Sequence, residues 1–348
     1  MQGADFVRGR AASPLPHFNN DSTAEGLLLS VSCSNGSNNL LPTSTAKDGW
    51  PRLFSQDIRN QYPYPASLLS QDSLHVLVHA GDLTENGSFE EAQAGLIWLS
   101  SQQQTHKIFV AGNHDVLLDE AFLEEYPERC YGDPRAKRDL NWGSIIYLEE
   151  SSTTLWCPQQ LSDMADLCGQ APLPSTVTGM GTLRKLTVFG SPWTPQYGIP
   201  AFQYRPEDVA SHWEGKIGLP TPDVLVTHGP PRLHLDSRDF HRAVGCPYLA
   251  ECVAEIRPRL AVFGHIHVSY GREDVILDGL QRALEKVDVG WGRWGTVIWM
   301  ATLLLWERVG SRIPVPRRHK DTLTTFVNAA VVGGPRNELV NQPAVIKL

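Results

Sequence analysis

The chain has 348 residues, 41% hydrophobic and 20% charged, the make-up of a soluble globular protein with room for one large or two ordinary cores. A net charge of −8 and a pI near 5.8 provide no basic face for duplex nucleic acid, so a partner of that class is not expected. Six cysteines without a C-x-x-C pair read as reduced thiols, and the expected localisation is cytoplasmic.

Residues 1–72 are rich in Ser, Asn, Pro and Gln, show little periodicity and read as an irregular N-terminal segment. Met1 to Arg10 lacks the apolar stretch of a leader peptide. The exception is Leu27 to Cys33, which reads as a buried strand followed by the loop Ser34 to Asn39. From residue 73 strands alternate with helices. Leu74 to Ala80 is an apolar strand running into Gly81-Asp82, and Ser88 with Glu91 forms a capping box that opens a helix. Lys107 to Ala111 is the next strand, ending at Gly112-Asn113-His114-Asp115; Asp119 starts another helix, and Ser144 to Leu148 is a further strand. Residues 151–182 are Pro- and Ser-rich and read as a surface insertion.

Lys185 to Phe189 leads into Gly190 to Pro195, and a helix from about Pro206 to Lys216 precedes the strand Asp223 to Thr227, which ends at His228-Gly229-Pro230-Pro231. Pro247 suits a first helical turn, and Leu249, Val253 and Ile256 give that helix one apolar side. The following strand ends in Gly264-His265-Ile266-His267. If the backbone there stays extended, the two imidazoles point the same way, and neutral imidazole is the commonest ligand for transition metals. A long helical stretch, 274–312, then precedes Phe326 to Ala330 and a last strand, Ala344 to Lys347. This is an α/β layered domain with its chemistry at strand ends.

Taken singly, each strand-end motif has a bland reading as a turn, a cap or a surface histidine. Together, a carboxylate, an amide and several imidazoles suit a divalent Mn, Fe or Zn ion, and two such ions clamp and polarise a phosphate. The ordered set Gly81-Asp82, Gly112-Asn113-His114-Asp115, His228 and Gly264-His265-Ile266-His267 resembles the calcineurin-like metallophosphoesterase superfamily. The stretches Gly81 to Glu85, Asn141 to Leu148, Gly190 to Pro195, Thr227 to Pro231 and Phe326 to Ala329 are similar to the metallophosphoesterase-domain-containing subgroup. The resemblance runs from residue 73 to the end, residues 73–348, apart from insertions at 151–182 and 272–320. It implies a four-layer αββα sandwich of mixed β-sheets flanked by helices. It also implies hydrolysis of a small phosphoester, a nucleotide-like or cyclic-nucleotide diester, by metal-hydroxide attack. Carried over, Asp82 bridges two metals, Asn113, His228 and His265 complete one shell, and His267 binds the other metal. His114 assists the leaving oxygen and the Glu85 carboxylate orients it.

One motif is missing. The family's first strand ends in Asp-x-His, whereas the corresponding place here, Leu27 to Gly36, has neither residue, and Asp239-Phe240-His241 is out of order. Either a misjoined segment replaces the first strand, or the protein is a one-metal variant and serves as a nucleotide or metal binder with an impaired site. A third expectation concerns residues 274–312. The run Thr296 to Trp306 is too short to span a bilayer, yet tryptophans and bases around it suit peripheral membrane contact and an adaptor role; the alternative is a helix packed on the domain.

Overall fold

The computed structural model describes residues 29–32, 75–158, 183–310 and 323–348, apart from 199, 206, 219, 238–242, 289, 291, 293, 334–337, 340 and 342. Among the described residues the strands are β1 (Leu29–Ser32), β2 (His75–Ala80), β3 (His106–Val110), β4 (Ile145–Tyr147), β5 (Ser151–Pro158), β6 (Leu183–Ser191), β7 (Thr194–Pro195), β8 (Gln203–Tyr204), β9 (Val224–Thr227), β10 (Leu260–Phe263), β11 (Gly271–Ile276), β12 (Leu323–Asn328), β13 (Val332–Gly333), β14 (Glu338–Leu339) and β15 (Val345–Lys347). The α-helices are α1 (Phe89–Ser100), α2 (Glu120–Glu125), α3 (Val209–Trp213), α4 (Pro247–Ile256), α5 (Gly279–Asp288) and α6 (Trp294–Gly310).

Two mixed sheets carry the fold, one ordered β15-β1-β2-β3-β4 and the other β11-β12-β10-β9-β6-β5. Side chains alternate across a strand, and the buried residues sort accordingly. Val76, Val78, Ala80, Ile108 and Val110 of the first sheet meet Leu186, Val188, Val224, Val226 and Val262 of the second in one apolar layer. The outward-facing Leu77 and Phe109 instead receive Phe89, Ala92, Leu96 and Leu99 of α1. On the far side Leu225, Ala261, Phe263 and Phe326 receive Leu249 and Val253 of α4. Helix, sheet, sheet, helix: this is the expected αββα sandwich. Strands buried on both faces lose the polar alternation of a half-exposed strand, which is why β2, β3, β9 and β10 read as near-continuous apolar runs.

The helix starts follow their local chemistry. The Ser88 hydroxyl accepts the Glu91 N–H at 3.3 Å, while the Glu91 carboxylate takes the N–H groups of Asn86 (2.8 Å) and Gly87 (3.1 Å), just ahead of the cap. Pro247 stands in the first turn of α4, and Arg257, left-handed at φ 49°, ends it.

Two expectations are corrected. Residues 151–158 are not a surface insertion but β5, paired antiparallel along β6; residues 159–182 lie outside the described residues. The stretch 274–312 is not helical from its start, because Gly271–Ile276 is a strand antiparallel to β12 and only then do α5 and α6 follow. Its burial alternates between half-buried and exposed, so its sequence lacks the apolar run that marks the central strands. Strand β1 does not deliver its end to the Asp82 end of the sheet. It runs antiparallel to β2, with Ser32 opposite His75 and Leu29 opposite Val78, so Ser32 lies at the far end of β2 from Asp82. Cys33 to Gly36, where the first metal motif was expected, lie outside the described residues, as do Asp239 and His241. Among the described residues, no helix is long and apolar enough to cross a membrane.

Helix α5 is fastened to the second sheet through His234, an almost fully buried residue that stacks on Phe326 with ring centroids 3.9 Å apart. Its Nε2 lies 3.3 Å from Glu285 of α5 and its Nδ1 3.6 Å from Glu273 of β11. Burial alone would lower the pKa of this imidazole, but the two carboxylates prevail and raise it to about 9. A pKa above its unfolded value adds stability that is complete below about pH 6.5 and is lost as pH rises through the folded value. The shift corresponds to about 2 kcal/mol once solvent screening at the half-exposed Glu273 is discounted. The melting temperature is expected to fall by several degrees between pH 6.5 and 9.5, and His234→Gln is expected to lower it at pH 6.5 and flatten that decline. An undiminished decline in the variant would remove His234 from this role.

Candidate metal centre

The C-terminal ends of β2, β3, β9 and β10 converge between the two sheets. Asp82 follows β2, Asn113 follows β3, His228 follows β9 and His265 follows β10. Among the described His, Cys, Asp and Glu residues, one atom each of Asp82, His228 and His265 lies within 4.8 Å of the others. Around His228 Nε2 stand Asn113 Oδ1 at 2.8 Å, His265 Nδ1 at 3.1 Å and Asp82 Oδ2 at 3.4 Å.

The orientation of His228 is fixed from behind. Its Nδ1 lies 2.9 Å from the Ala80 carbonyl, and a carbonyl only accepts, so Nδ1 carries the proton. In the neutral ring Nε2 therefore presents a lone pair to the same point as the Asp82 carboxylate and the Asn113 amide oxygen. Such converging acceptors repel one another unless a cation lies between them. Carboxylate, amide oxygen and imidazole are together the donors of a borderline-hard divalent ion, so these residues fit a metal. In the metal-free site a proton on His228 Nε2 takes that place: burial opposes ionisation of Asp82, but positive charge on His228 and His114 and the His114 main-chain N–H (2.9 Å) hold its carboxyl well below the usual range. Burial likewise keeps His265 far below the ordinary imidazole pKa and lowers His267 to about 4, so both are neutral donors at pH 7.

Two of the site residues leave the ordinary backbone regions: Asp82 (φ 54°) and His265 (φ 66°) are both left-handed, a conformation that the Cβ atom makes costly for any residue but glycine. The Gly264-His265-Ile266-His267 run is thus not an extended strand end. β10 stops at Phe263, and His267 opens a short 3₁₀ turn. Asn328 at the end of β12 holds this turn, its Nδ2 donating to the Ile266 and Leu235 carbonyls at 2.9 Å each. The glycines that matter most are Gly81 and Gly112. A methyl group on Gly81 would overlap the His228 ring, and one on Gly112 would overlap the Asp82 carboxylate.

Asp115 ties the two acidic loops together. Its carboxylate accepts from Gly112 N (2.8 Å), Thr84 N (2.9 Å), Thr84 Oγ1 (2.8 Å) and Leu83 N (3.2 Å). Burial, reinforced by the Asp82 charge, raises its pKa to about 6. It braces the Asp82 loop against the Asn113 loop. The 192–204 loop is built onto the same base, with Ala201 N donating to the Asn113 carbonyl (3.3 Å) and Phe202 N to the Asp119 carboxylate (2.7 Å). This loop carries Tyr197, whose ring centroid lies 5.0 Å from that of His265.

The structure gathers Asp82, Asn113, His228 and His265 at one point. His267 lies outside the 4.8 Å group, although its imidazole interacts electrostatically with Asp82, His114 and His228. His114 also stands beside Asp82, but what holds its Nδ1 is the Glu85 main-chain carbonyl at 2.8 Å rather than the Glu85 carboxylate. Sequence patterns missed that contact, because any residue supplies a carbonyl. Asp115 and Tyr197 were missed as well. The former sits in the Gly-Asn-His-Asp run, which flags it; the latter carries no motif.

Residues 57–269 match the calcineurin-like phosphoesterase family. A protein of Emericella nidulans called probable rhamnogalacturonate lyase C is 38% identical over 270 residues, covering 75% of this chain and 21% of that protein. Metallophosphoesterase domain-containing protein 1 of Homo sapiens is 32% identical over 222 residues, 59% of this chain and 56% of that protein. A UPF0046 protein of Caenorhabditis elegans is 28% identical over 66% of this chain and 68% of its own length. The chain thus spans about a fifth of the first of these relatives and just over half of the second. With the family's strand-end residues meeting at one buried point between two sheets, the chain belongs to the calcineurin-like phosphoesterase family.

Proposed function

We propose that the protein is a metal-dependent phosphodiesterase acting on a small nucleotide-like substrate. The observation that carries this reading is the convergence of the Asp82, Asn113 and His228 acceptor atoms on one point, with His265 beside them. These four residues would hold a divalent ion, with His267 and Asp82 facing a neighbouring position. When bound, such an ion supplies Lewis acidity to a phosphoryl oxygen and lowers the pKa of water, so that a nucleophile is available near neutral pH.

The chain's own groups do the rest. Asp82 stays ionised and brings negative charge to the metal position. His114, with its Nδ1 proton committed to the Glu85 carbonyl, has Nε2 left to exchange a proton with the departing oxygen. Tyr197 beside His265 offers an aromatic face to a base or aryl group, which supports a nucleotide-like substrate over a simple alkyl ester. Asp115 and Gly112 keep the two acidic loops in register.

The purified full chain, stripped with EDTA and reloaded with Mn²⁺, is expected to hydrolyse bis(p-nitrophenyl) phosphate, and EDTA is expected to abolish the reaction. Tight metal binding without turnover of this diester or of a cyclic nucleotide would overturn the enzymatic reading in favour of a non-catalytic binder. Failure to retain any divalent metal would overturn both.

A further inference from the structure

We infer that α6 is a docking helix that lies in the surface of an anionic membrane. It packs against α5 along one side, with Leu303 beside Gly279, and the opposite side is uncovered. Trp294 is 83% exposed, Ile298 65% and Leu305 65%, and at spacings of four and seven residues they form a stripe along one face. Val297, Trp299 and Leu304 flank the stripe and are about half exposed.

No charged residue occurs between Trp294 and Trp306, so water meets an apolar helix on nearly every side that α5 leaves open. A soluble surface helix would carry polar residues there, and a contiguous apolar patch of this kind marks an interaction site. Charge identifies the partner. Between Arg293 and Lys320 the sequence has six Lys or Arg residues and one acid, in a chain whose net charge is −8. A neutral apolar helix flanked by bases is complementary to a lipid surface bearing anionic headgroups, with hydrocarbon beneath them. Tryptophans suit the boundary between the two. At about 25 Å, the helix is shorter than a bilayer crossing requires, which favours lying in the plane.

The test is flotation of the full chain with vesicles of phosphatidylcholine alone or with about one third phosphatidylserine. The wild-type chain is expected to float with the anionic vesicles, less with neutral ones, and to be released by high salt. Ile298→Glu with Leu305→Glu is expected to cut recovery at least about tenfold. Because both positions are exposed, far-UV circular dichroism and melting temperature are expected to stay at the wild-type values, which separates lost docking from lost folding. Equal recovery of wild type and variant overturns the inference. So does a wild-type chain that fails to float but sediments as a dimer which the same variant dissociates; α6 would then be a contact between copies of the chain.

Discussion

Asp82→Asn is expected to abolish retention of a divalent metal and, with it, the rise in melting temperature that the metal gives the wild type. Both losses have one cause. The buried carboxylate stands with the Asn113 and His228 acceptor atoms at one point, where its full negative charge makes it the strongest ligand for a cation. Partners outside the ligand shell already change metal affinity by about 10–100-fold, so loss of this ligand is expected to exceed about 100-fold. Metal content per chain after dialysis checks the first. The melting temperature with and without Mn²⁺ checks the second, since a ligand of the native state raises it by mass action. Gly112→Ala removes no ligand, but its methyl group would displace the Asp82 carboxylate and is expected to give the same metal loss. A variant of Asp82 that still shows the metal-induced rise would place the ion elsewhere.

What the sequence makes legible here is governed by where the information resides. The apolar runs of β2, β3, β9 and β10 are readable because both faces are buried, and the motifs at their ends follow directly from strand register. Strand β11 is not readable in that way, being half exposed along its length, and its polar start was absorbed into an expected helix. The direction of β1 depends on pairing with β2 and β15, and β15 lies more than 300 positions along the chain. His234 looks like an unremarkable loop histidine until Glu273, Glu285 and Phe326, all distant in sequence, close around it. The His265 backbone is a further case: its left-handed turn is imposed by the packing of the Gly264 and Ile266 peptides on His228 and Asn328. Residue types revealed which donors the site has; only the tertiary structure shows how they are aimed.

The same distinction sets the expected behaviour of His114 and Glu85. A general acid or base contributes about 10²–10⁴-fold to rate, so His114→Gln is expected to lower kcat for a diester by that order. Metal content should stay near wild type, because His114 is not among the three grouped ligand residues and any side chain leaves its main-chain N–H on Asp82 in place. Glu85→Gln is expected to change kcat by no more than about threefold, within what a half-exposed charge contributes through solvent. The group that fixes the His114 tautomer is the Glu85 carbonyl, which the substitution retains. The carboxyl itself has its pKa raised, first by burial and then by Glu91. If the carboxylate rather than the carbonyl orients the imidazole, Glu85→Gln will be as damaging as His114→Gln and the acidic limb of the pH–rate profile will move with it. A small effect with an unmoved profile assigns the task to the main chain.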